Sequence, residues 1–149
     1  MKTKEIKLSI ESRLDNVSLL GAAVNRLCSL VPFSDSDAHA IELCVTEAVV
    51  NSIQHGYADE PGHLVDVLFR QESDQVVIAI SDTGKPMNPK MLEEKKQAAI
   101  RFDPEDIDNI PESGRGLAII QGYMDDVRYQ EKGTVKHLIL TKKFSEDKE

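Results

Sequence analysis

Residues 41–57 read IELCVTEAVVNSIQHGY, and their pattern predicts the amphipathic helix around which the rest of the fold is organised. Apolar or small side chains recur every three or four residues, the spacing of a helix face that packs into a core. Ser34 followed three residues later by Asp37 is a helix start signal, and Gly56 offers a left-handed stop. The inward face comprises Ala40, Ile41, Cys44, Val45, Ala48, Val49 and Ser52.

The opposite face of this helix carries Glu47, Asn51 and His55 at intervals of four residues. Neighbours four positions apart in an α-helix are offset by only about 40°, so the three side chains form one ladder roughly 12 Å long. A carboxylate, an amide and an imidazole in a row can be an ordinary solvated face. They can also be a face that binds a metal and activates a nucleophile, which requires partner residues elsewhere in the chain.

The composition predicts one soluble globular domain spanning residues 1–149, with 40% hydrophobic and 30% charged residues. A net charge of −8 argues against direct DNA or RNA binding, which needs a basic surface, but it does not exclude a nucleotide ligand. Neither a signal peptide nor an apolar run of membrane-spanning length is present, so a cytoplasmic protein without membrane contact is expected. Cys28 and Cys44 lie on apolar helix faces and are expected to be reduced core thiols.

The remaining periodicity predicts a mixed, mostly antiparallel sheet covered on one face by helices, which is a two-layer α/β (α+β) sandwich. The expected order is β-α-α-β-β-α-loop-α-β-β. The expected strands are residues 4–10, 63–70, 75–80, 127–130 and 134–140. Besides the central helix, the expected helices run from Asp15 or Asn16 to Leu30, over residues 89–99, and from Gly116 through LAIIQGYMDD. Residues 142–149 are expected to form a charged tail.

The turn SDTGKP, residues 81–86, directly follows the apolar run VVIAI. Asp82 at the end of a buried strand would be held rigidly and could accept a hydrogen bond from an exocyclic amine such as that of adenine. Gly84 permits a positive φ angle or the close approach of a flat base, although a plain turn is the other interpretation. Asp-Thr-Gly is also similar to the retroviral-type aspartic proteases, but those are almost entirely β.

A second turn, Gly114-Arg115-Gly116-Leu117, opens the last predicted helix. Unpaired backbone N–H groups and the positive end of the helix dipole make such a turn an anion site, and a flexible hinge is the alternative. The preceding residues 100–113 contain two prolines and five acidic residues. They predict a mobile surface loop, which is either a lid over a ligand or plain disorder.

These segments together form an ordered set of motifs: Glu-x3-Asn-x3-His-Gly-Tyr on a helix, Asp-x-Gly-x-Pro after a strand, and Gly-x-Gly-Leu opening a helix. The set resembles the histidine-kinase-like ATP-binding fold of the gyrase, chaperone and histidine-kinase superfamily. More closely, it resembles the bacterial anti-sigma factor serine/threonine-protein kinases. The resemblance extends from the first strand to Thr141 and lies in TEAVVNSIQHGY, SDTGKPMNP and GRGLAIIQGYMDDV.

The resemblance implies ATP and Mg²⁺ as cofactors. Asn51 would bind the Mg²⁺ that bridges the phosphates, and Glu47 would be the general base that accepts the proton of a serine hydroxyl. Asp82 would bind adenine. The further nucleotide-binding positions that it implies are His55, Gly84, Pro86, Gly114, Arg115, Gly116, Leu117 and Thr134.

Two of these positions have a more specific expected role. His55 would lie near the sugar and phosphates, or it would make a structural hydrogen bond at the helix end. Thr134 resembles a threonine that supports the adenine-site aspartate through water. Residues 100–113 would be the ATP lid, closed by the two glycines of the Gly-x-Gly turn.

One departure from the family concerns an arginine that often stands just before the Gly-x-Gly turn, close to the γ-phosphate. Residues 111–113 here are Pro, Glu and Ser, so Arg115 or Arg101 would have to supply the charge. A misplaced arginine can cost phosphoryl transfer several powers of ten while ATP binding stays intact.

The function that the resemblance implies is an ATP-dependent serine-protein kinase that is also an anti-sigma factor. Its expected partners are a sigma factor and a small anti-sigma antagonist protein, which it would phosphorylate on serine, and relatives also form homodimers. The alternative is a nucleotide-gated regulatory binding module without phosphotransfer.

Overall fold

The structure, a computed structural model, describes residues 3–88, 90–92 and 115–144. The strands are β1 (Lys4–Glu11), β2 (Leu64–Gln71), β3 (Gln75–Asp82), β4 (Asp126–Lys132) and β5 (Val135–Lys143). The helices are α1 (Val17–Ser29), α2 (Asp35–Asn51) and α3 (Arg115–Tyr123). A 3-10 turn, Leu14–Asn16, precedes α1, and a π-helical turn, Ser52–Gly56, continues α2.

The five strands form one sheet in the order β1-β2-β3-β5-β4, and each neighbouring pair is antiparallel. Burial alternates along β2 and β3, so one face of the sheet is packed into the core while the other is half-exposed. This confirms the predicted α/β sandwich with helices on one face, although the described sheet is antiparallel throughout rather than mixed. The buried strand residues are Val65, Val67, Phe69, Val76, Ile78, Ile80, Leu138 and Leu140.

The central helix α2 begins where the sequence predicts. The Ser34 hydroxyl accepts a hydrogen bond from the Asp37 N–H at 3.0 Å, which satisfies one of the free donors of the first turn. The inward face of the helix packs between α1, α3 and the sheet, and its buried residues are Ala38, Ile41, Cys44, Val45, Ala48 and Val49. The predicted inward face is therefore confirmed from Ile41 to Val49, whereas Ala40, which was also predicted to face inward, is only partly buried and Ala38 is buried instead.

The end of this helix differs from the prediction, because Gly56 is not a left-handed stop. The α-helical bonds end at Asn51, and a wider turn follows that is closed by a hydrogen bond from Tyr57 N to Ser52 O at 2.9 Å. This wider turn delays the reversal of the chain by two residues, so the positive φ angles occur at Ala58 and Asp59 (53° and 62°).

Two predicted boundaries in the last third of the chain are also wrong. The helix after Gly116 ends at Tyr123, because the Asp125 N–H donates to Thr141 O at 2.9 Å and so joins the sheet. Strand β5 continues to Lys143, past the predicted start of the tail at residue 142, and the Phe144 ring packs against Phe33 with centroids 5.0 Å apart.

Several predictions fall on residues that the structure does not describe. These are the helix at 89–99 except for residues 90–92, the lid at 100–113, Arg101, Gly114 and the tail beyond residue 144. In the described ranges, no helix is long and apolar enough to cross a membrane. Cys28 and Cys44 are free and buried, and burial raises the pKa of each thiol to about 12. Both are therefore inert core thiols, as predicted.

Candidate functional site

Two residues of the predicted ladder meet the start of α3. A Cβ atom added to Gly116 would lie 2.8 Å from Oε1 of Glu47 and 3.4 Å from Nδ2 of Asn51. Gly116 is buried, and a side chain at this position would displace the Glu47 carboxylate. The structure therefore brings the Glu47 carboxylate and the Asn51 amide close to the first described turn of α3, although this turn is more than sixty residues away from them in the sequence.

The acidity of Glu47 is changed by this packing. Its carboxyl group is half-buried, and burial raises its pKa above the ordinary glutamate value. The positive charge of Arg115 lowers the same pKa and only partly offsets the effect of burial. A carboxylate with a raised pKa is a stronger base than one in water, and it is therefore suited to accept a proton from a hydroxyl group.

His55 does not belong to the same contact. The predicted ladder assumed α-helical spacing up to His55, whereas the structure replaces the last turn with the π-helical one. The side chain is exposed, and within the part of the chain that the structure describes it makes no hydrogen bond. The structural hydrogen bond expected at the helix end is absent there, and its contact with a nucleotide stays a prediction.

Asp82 lies at the end of β3, where its carboxylate is fixed by two donors. The Gly84 N–H donates to Oδ1 at 2.9 Å, and the hydroxyl of Ser52 donates to Oδ2 at 2.7 Å. Each carboxylate oxygen can accept more than one hydrogen bond, so lone pairs remain for a ligand. The geometry is that of a rigid, acceptor-only group at the edge of the core, which is compatible with the predicted contact to an exocyclic amine.

Gly84 is constrained by protein rather than by open space. A Cβ atom added here would overlap the carbonyl of Gly56, and Lys85 N donates to the same carbonyl oxygen at 2.7 Å. The φ angle of Gly84 is not positive. The close approach that requires this glycine is therefore the seam between the end of α2 and the loop after β3, and contact with a base stays a prediction.

Three further residues shape this site, and sequence analysis missed their roles. Ser52 anchors Asp82, and its presence on a buried helix face was a usable signal, since a buried hydroxyl needs a partner. The Tyr57 hydroxyl donates to Leu64 O at 2.7 Å and accepts the Thr83 N–H at 2.9 Å, which ties the helix end to the loop.

Tyr129 fixes the segment that follows the loop. Its hydroxyl accepts the N–H of Met87 at 2.9 Å. Burial raises its pKa, the hydrogen bond from Met87 lowers it in part, and the charges of Glu131 and Asp82 add smaller increases. Nothing in the local sequence relates Tyr129 on β4 to Asp82 on β3. The order of strands in the sheet creates this neighbourhood.

The other predicted positions lie around these two groups. Pro86 is exposed in the loop after Gly84, and the Leu117 side chain is buried in the core, so that only its backbone could face a ligand. Thr134 is exposed in the β4–β5 turn, two residues before Lys136. Lys136 lies opposite Asp82 in the register of β3 and β5. Whether these residues contact a nucleotide stays a prediction, as it does for Gly114.

The two groups are joined through consecutive residues of one helix. Asn51 faces Gly116 at the start of α3, while the next residue, Ser52, binds Asp82. An anion bound at the start of α3 and a nucleobase bound at Asp82 would therefore lie on either side of the same helix end. The predicted nucleotide would then have Glu47 beside its phosphates.

The chain is similar to known proteins over nearly its whole length. The sequence model of the family described as histidine kinase-like ATPase domain matches residues 10–142. An anti-sigma F factor of Oceanobacillus iheyensis is 31% identical over 147 residues, which cover 97% of this chain and 95% of that protein. A serine-protein kinase RsbW of Listeria monocytogenes is 28% identical over 144 residues, covering 95% of this chain and 88% of that protein.

The fold is also similar to a solved structure. A chain in the crystal structure of the SiaB–SiaC complex from Pseudomonas aeruginosa superimposes with a TM-score of 0.58. The match covers 91% of this chain and 89% of that chain at 13% sequence identity. At this identity the similarity concerns the fold alone.

Proposed function

The chain belongs to the histidine kinase-like ATPase domain family, in the branch of the anti-sigma factor kinases, and on this premise we propose that it is an ATP- and Mg²⁺-dependent serine-protein kinase. The observation that carries the proposal is the position of Gly116, where an added Cβ atom would meet the side chains of both Glu47 and Asn51. It unites a base, a metal ligand and a helix start that can hold phosphates, beside an anchored aspartate that can hold adenine.

The donors fit the cofactors that this function needs. Asn51 would hold Mg²⁺ through its amide oxygen together with water and phosphate oxygens, a ligand set that this hard cation prefers. When bound, the ion neutralises charge on the phosphates. The N–H groups at the start of α3 would donate hydrogen bonds to phosphate oxygens, and Asp82 would accept a hydrogen bond from the 6-amino group of adenine.

In the proposed reaction, the serine oxygen of a protein substrate forms a bond to the γ-phosphorus of ATP. The bond from this phosphorus to the β–γ bridging oxygen breaks, and ADP leaves. Glu47 accepts the serine proton, for which its raised pKa is favourable. Arg115, whose charge acts on Glu47, would stabilise the charge of the transferred group in place of the arginine that is absent from residues 111–113.

The proposed partners follow from the relatives. Proteins similar to this chain are named anti-sigma F factor and serine-protein kinase, so we expect the chain to bind a sigma factor and to phosphorylate a small antagonist protein on serine. The choice between the two partners would depend on the bound nucleotide. The net charge of −8 fits binding to proteins better than direct binding to nucleic acid.

Incubation with γ-labelled ATP and the antagonist protein of the native host tests the proposal. The wild-type chain should transfer label to a serine of the antagonist, and Glu47→Ala should bind ATP but lose transfer. Glu42→Ala, which removes another partly buried carboxylate of α2, is the matched control and should retain activity. Tight ATP binding without transfer by the wild-type chain would instead support a nucleotide-gated binding module, and no ATP binding would exclude both functions.

A further inference from the structure

We propose that Ser52 is a positioning residue that makes Asp82 selective for a purine with an exocyclic amine. This inference rests on the proposed function, because it concerns how the same site would recognise ATP. Ser52 directly follows the proposed metal ligand Asn51 and is 8% exposed, although serine is usually a surface residue. Its burial requires a partner for the hydroxyl, and the partner is Asp82.

The geometry identifies what the hydroxyl does. A serine in a helix commonly donates to the carbonyl oxygen four residues earlier. Ser52 instead donates across to Oδ2 of Asp82 at 2.7 Å, a short hydrogen bond to a charged group. Gly84 N holds the other oxygen at 2.9 Å. Two donors on two different oxygens fix the rotation of the carboxylate plane, which one donor alone would leave free.

The fixed orientation has a consequence for recognition. An ionised carboxylate has only acceptor sites, and Ser52 and Gly84 have already set which lone pairs remain. A 6-amino group can donate to them, whereas a purine without this group leaves them unpaired. A buried site that is built for a donor rejects ligands lacking it, because its own polar atoms lose water without gaining a partner. Ser52 therefore contributes to adenine selectivity without touching the base.

The test uses calorimetry to compare the binding of two ligands to the wild-type chain and to the Ser52→Ala variant. The ligands are ATP and purine riboside triphosphate, which differs from ATP only by a hydrogen in place of the 6-amino group. Ser52→Ala should weaken ATP binding about tenfold, the range expected for losing one hydrogen bond to a charged group. The same variant should change the affinity for purine riboside triphosphate less than twofold, since this ligand makes no amine contact to lose.

Ser12→Ala is the matched control. Ser12 is also buried and also donates a hydrogen bond of 2.7 Å, but its acceptor is Glu60 O, in the segment that follows the π-helical turn. It should leave the ratio of the two affinities unchanged, even where it lowers thermal stability as much as Ser52→Ala does. In kinase assays, Ser52→Ala should raise KM for ATP and leave kcat within twofold.

Two results would overturn the role of Ser52. Equal weakening of both ligands would show that the serine supports general packing only, and unchanged ATP affinity would show that Asp82 needs no second donor. In either case the wild-type chain still binds ATP, so the proposed function survives. If the wild-type chain binds neither ligand, the proposed function itself fails, and the role of Ser52 fails with it.

Discussion

Glu47 illustrates how a single residue can be placed for reactivity at the expense of stability. Its carboxyl group is half-buried between α2 and the start of α3, where burial raises its pKa and Arg115 offsets only part of the effect. A residue that served only the fold would not place an acid there, since a neutral side chain of the same shape would avoid the desolvation cost. The proposed role of Glu47 as a general base would explain this position.

We therefore expect Glu47→Gln to stabilise the folded chain near neutral pH while abolishing phosphotransfer. Because the folded pKa of Glu47 is raised, its ionised form is penalised in the folded state at every pH above that pKa. The penalty falls as the pH drops through the folded pKa and is absent below the unfolded value. Urea unfolding from pH 8 to pH 4 should show the advantage of Glu47→Gln shrinking toward acid. A variant less stable than wild type at pH 8 would contradict this account.

The interaction between Arg115 and Glu47 gives a second prediction. The arginine charge lowers the pKa of Glu47, so Arg115→Gln should raise this pKa further. Because a base acts in its ionised form, the acidic limb of the phosphotransfer rate should move to higher pH. Single-turnover rates across pH measure the shift, and Arg128→Gln, which removes an exposed arginine paired with Asp126 at 2.8 Å, is the control. If the acidic limb does not move, the charge of Arg115 does not affect the pKa of the catalytic base, which contradicts this prediction.

At this scale, the sequence predicts residue types better than residue contacts. Glu47, Asn51 and Asp82 could be singled out because a polar side chain at a fixed helical spacing, or at the end of an apolar strand, is visible locally. The bond from Ser52 to Asp82 could not, because it joins residues 30 positions apart and depends on how two elements pack. Periodicity correctly predicted that Ser52 is buried, but it gave no information about the hydrogen-bond partner of its hydroxyl.

Among the elements, the π-helical turn after α2 does most to connect the Glu47 and Asn51 side of the candidate site with the Asp82 side. Four hydrogen bonds join this turn and the next residue to the end of β3 and the loop after it, and they involve Ser52, Gly56 and Tyr57. π-helical turns are uncommon and occur frequently at functional sites. Local sequence could not predict this one, since the same residues fit an α-helix, and the contacts with the loop decide between the two.

The delayed helix stop leads to a prediction about stability. Ala58 has a φ angle of 53°, a conformation that costs a residue with a Cβ atom about 1–2 kcal/mol and glycine nothing comparable. Ala58→Gly should therefore raise the free energy of unfolding by about 0.5–1 kcal/mol after the greater flexibility of glycine in the unfolded chain is included. Ala22→Gly, at an exposed position inside α1, should lower it by about 1 kcal/mol. Urea denaturation compares the two, and destabilisation by Ala58→Gly would contradict the assigned strain.

Over the whole molecule, the sequence predicts the layers but not the order within the sheet. Alternating burial in β2 and β3 and the stripe of α2 require a sheet covered by helices on one face, and this is the observed architecture. The position of β5 between β3 and β4 is not visible locally, because it depends on a long connection across the sheet. That position brings Tyr129 and Lys136 toward Asp82 and completes the candidate adenine site.

Ligand binding should therefore stabilise the molecule as a unit. ATP that binds only the folded chain adds about 2.7 kcal/mol to the free energy of unfolding at about 100 times its Kd. The gain applies to the whole domain, because α2, α3 and the sheet all contribute to the candidate site. Asp82→Asn should lose most of this increment, and EDTA should reduce it in the wild-type chain if Asn51 holds Mg²⁺. Asp66→Asn, which changes a carboxylate of β2 that binds Ser9 at 2.6 Å, should keep it. Urea unfolding with and without ATP–Mg²⁺ measures each increment within one variant, so differences in basal stability cancel. A full increment in Asp82→Asn would remove this residue from the site.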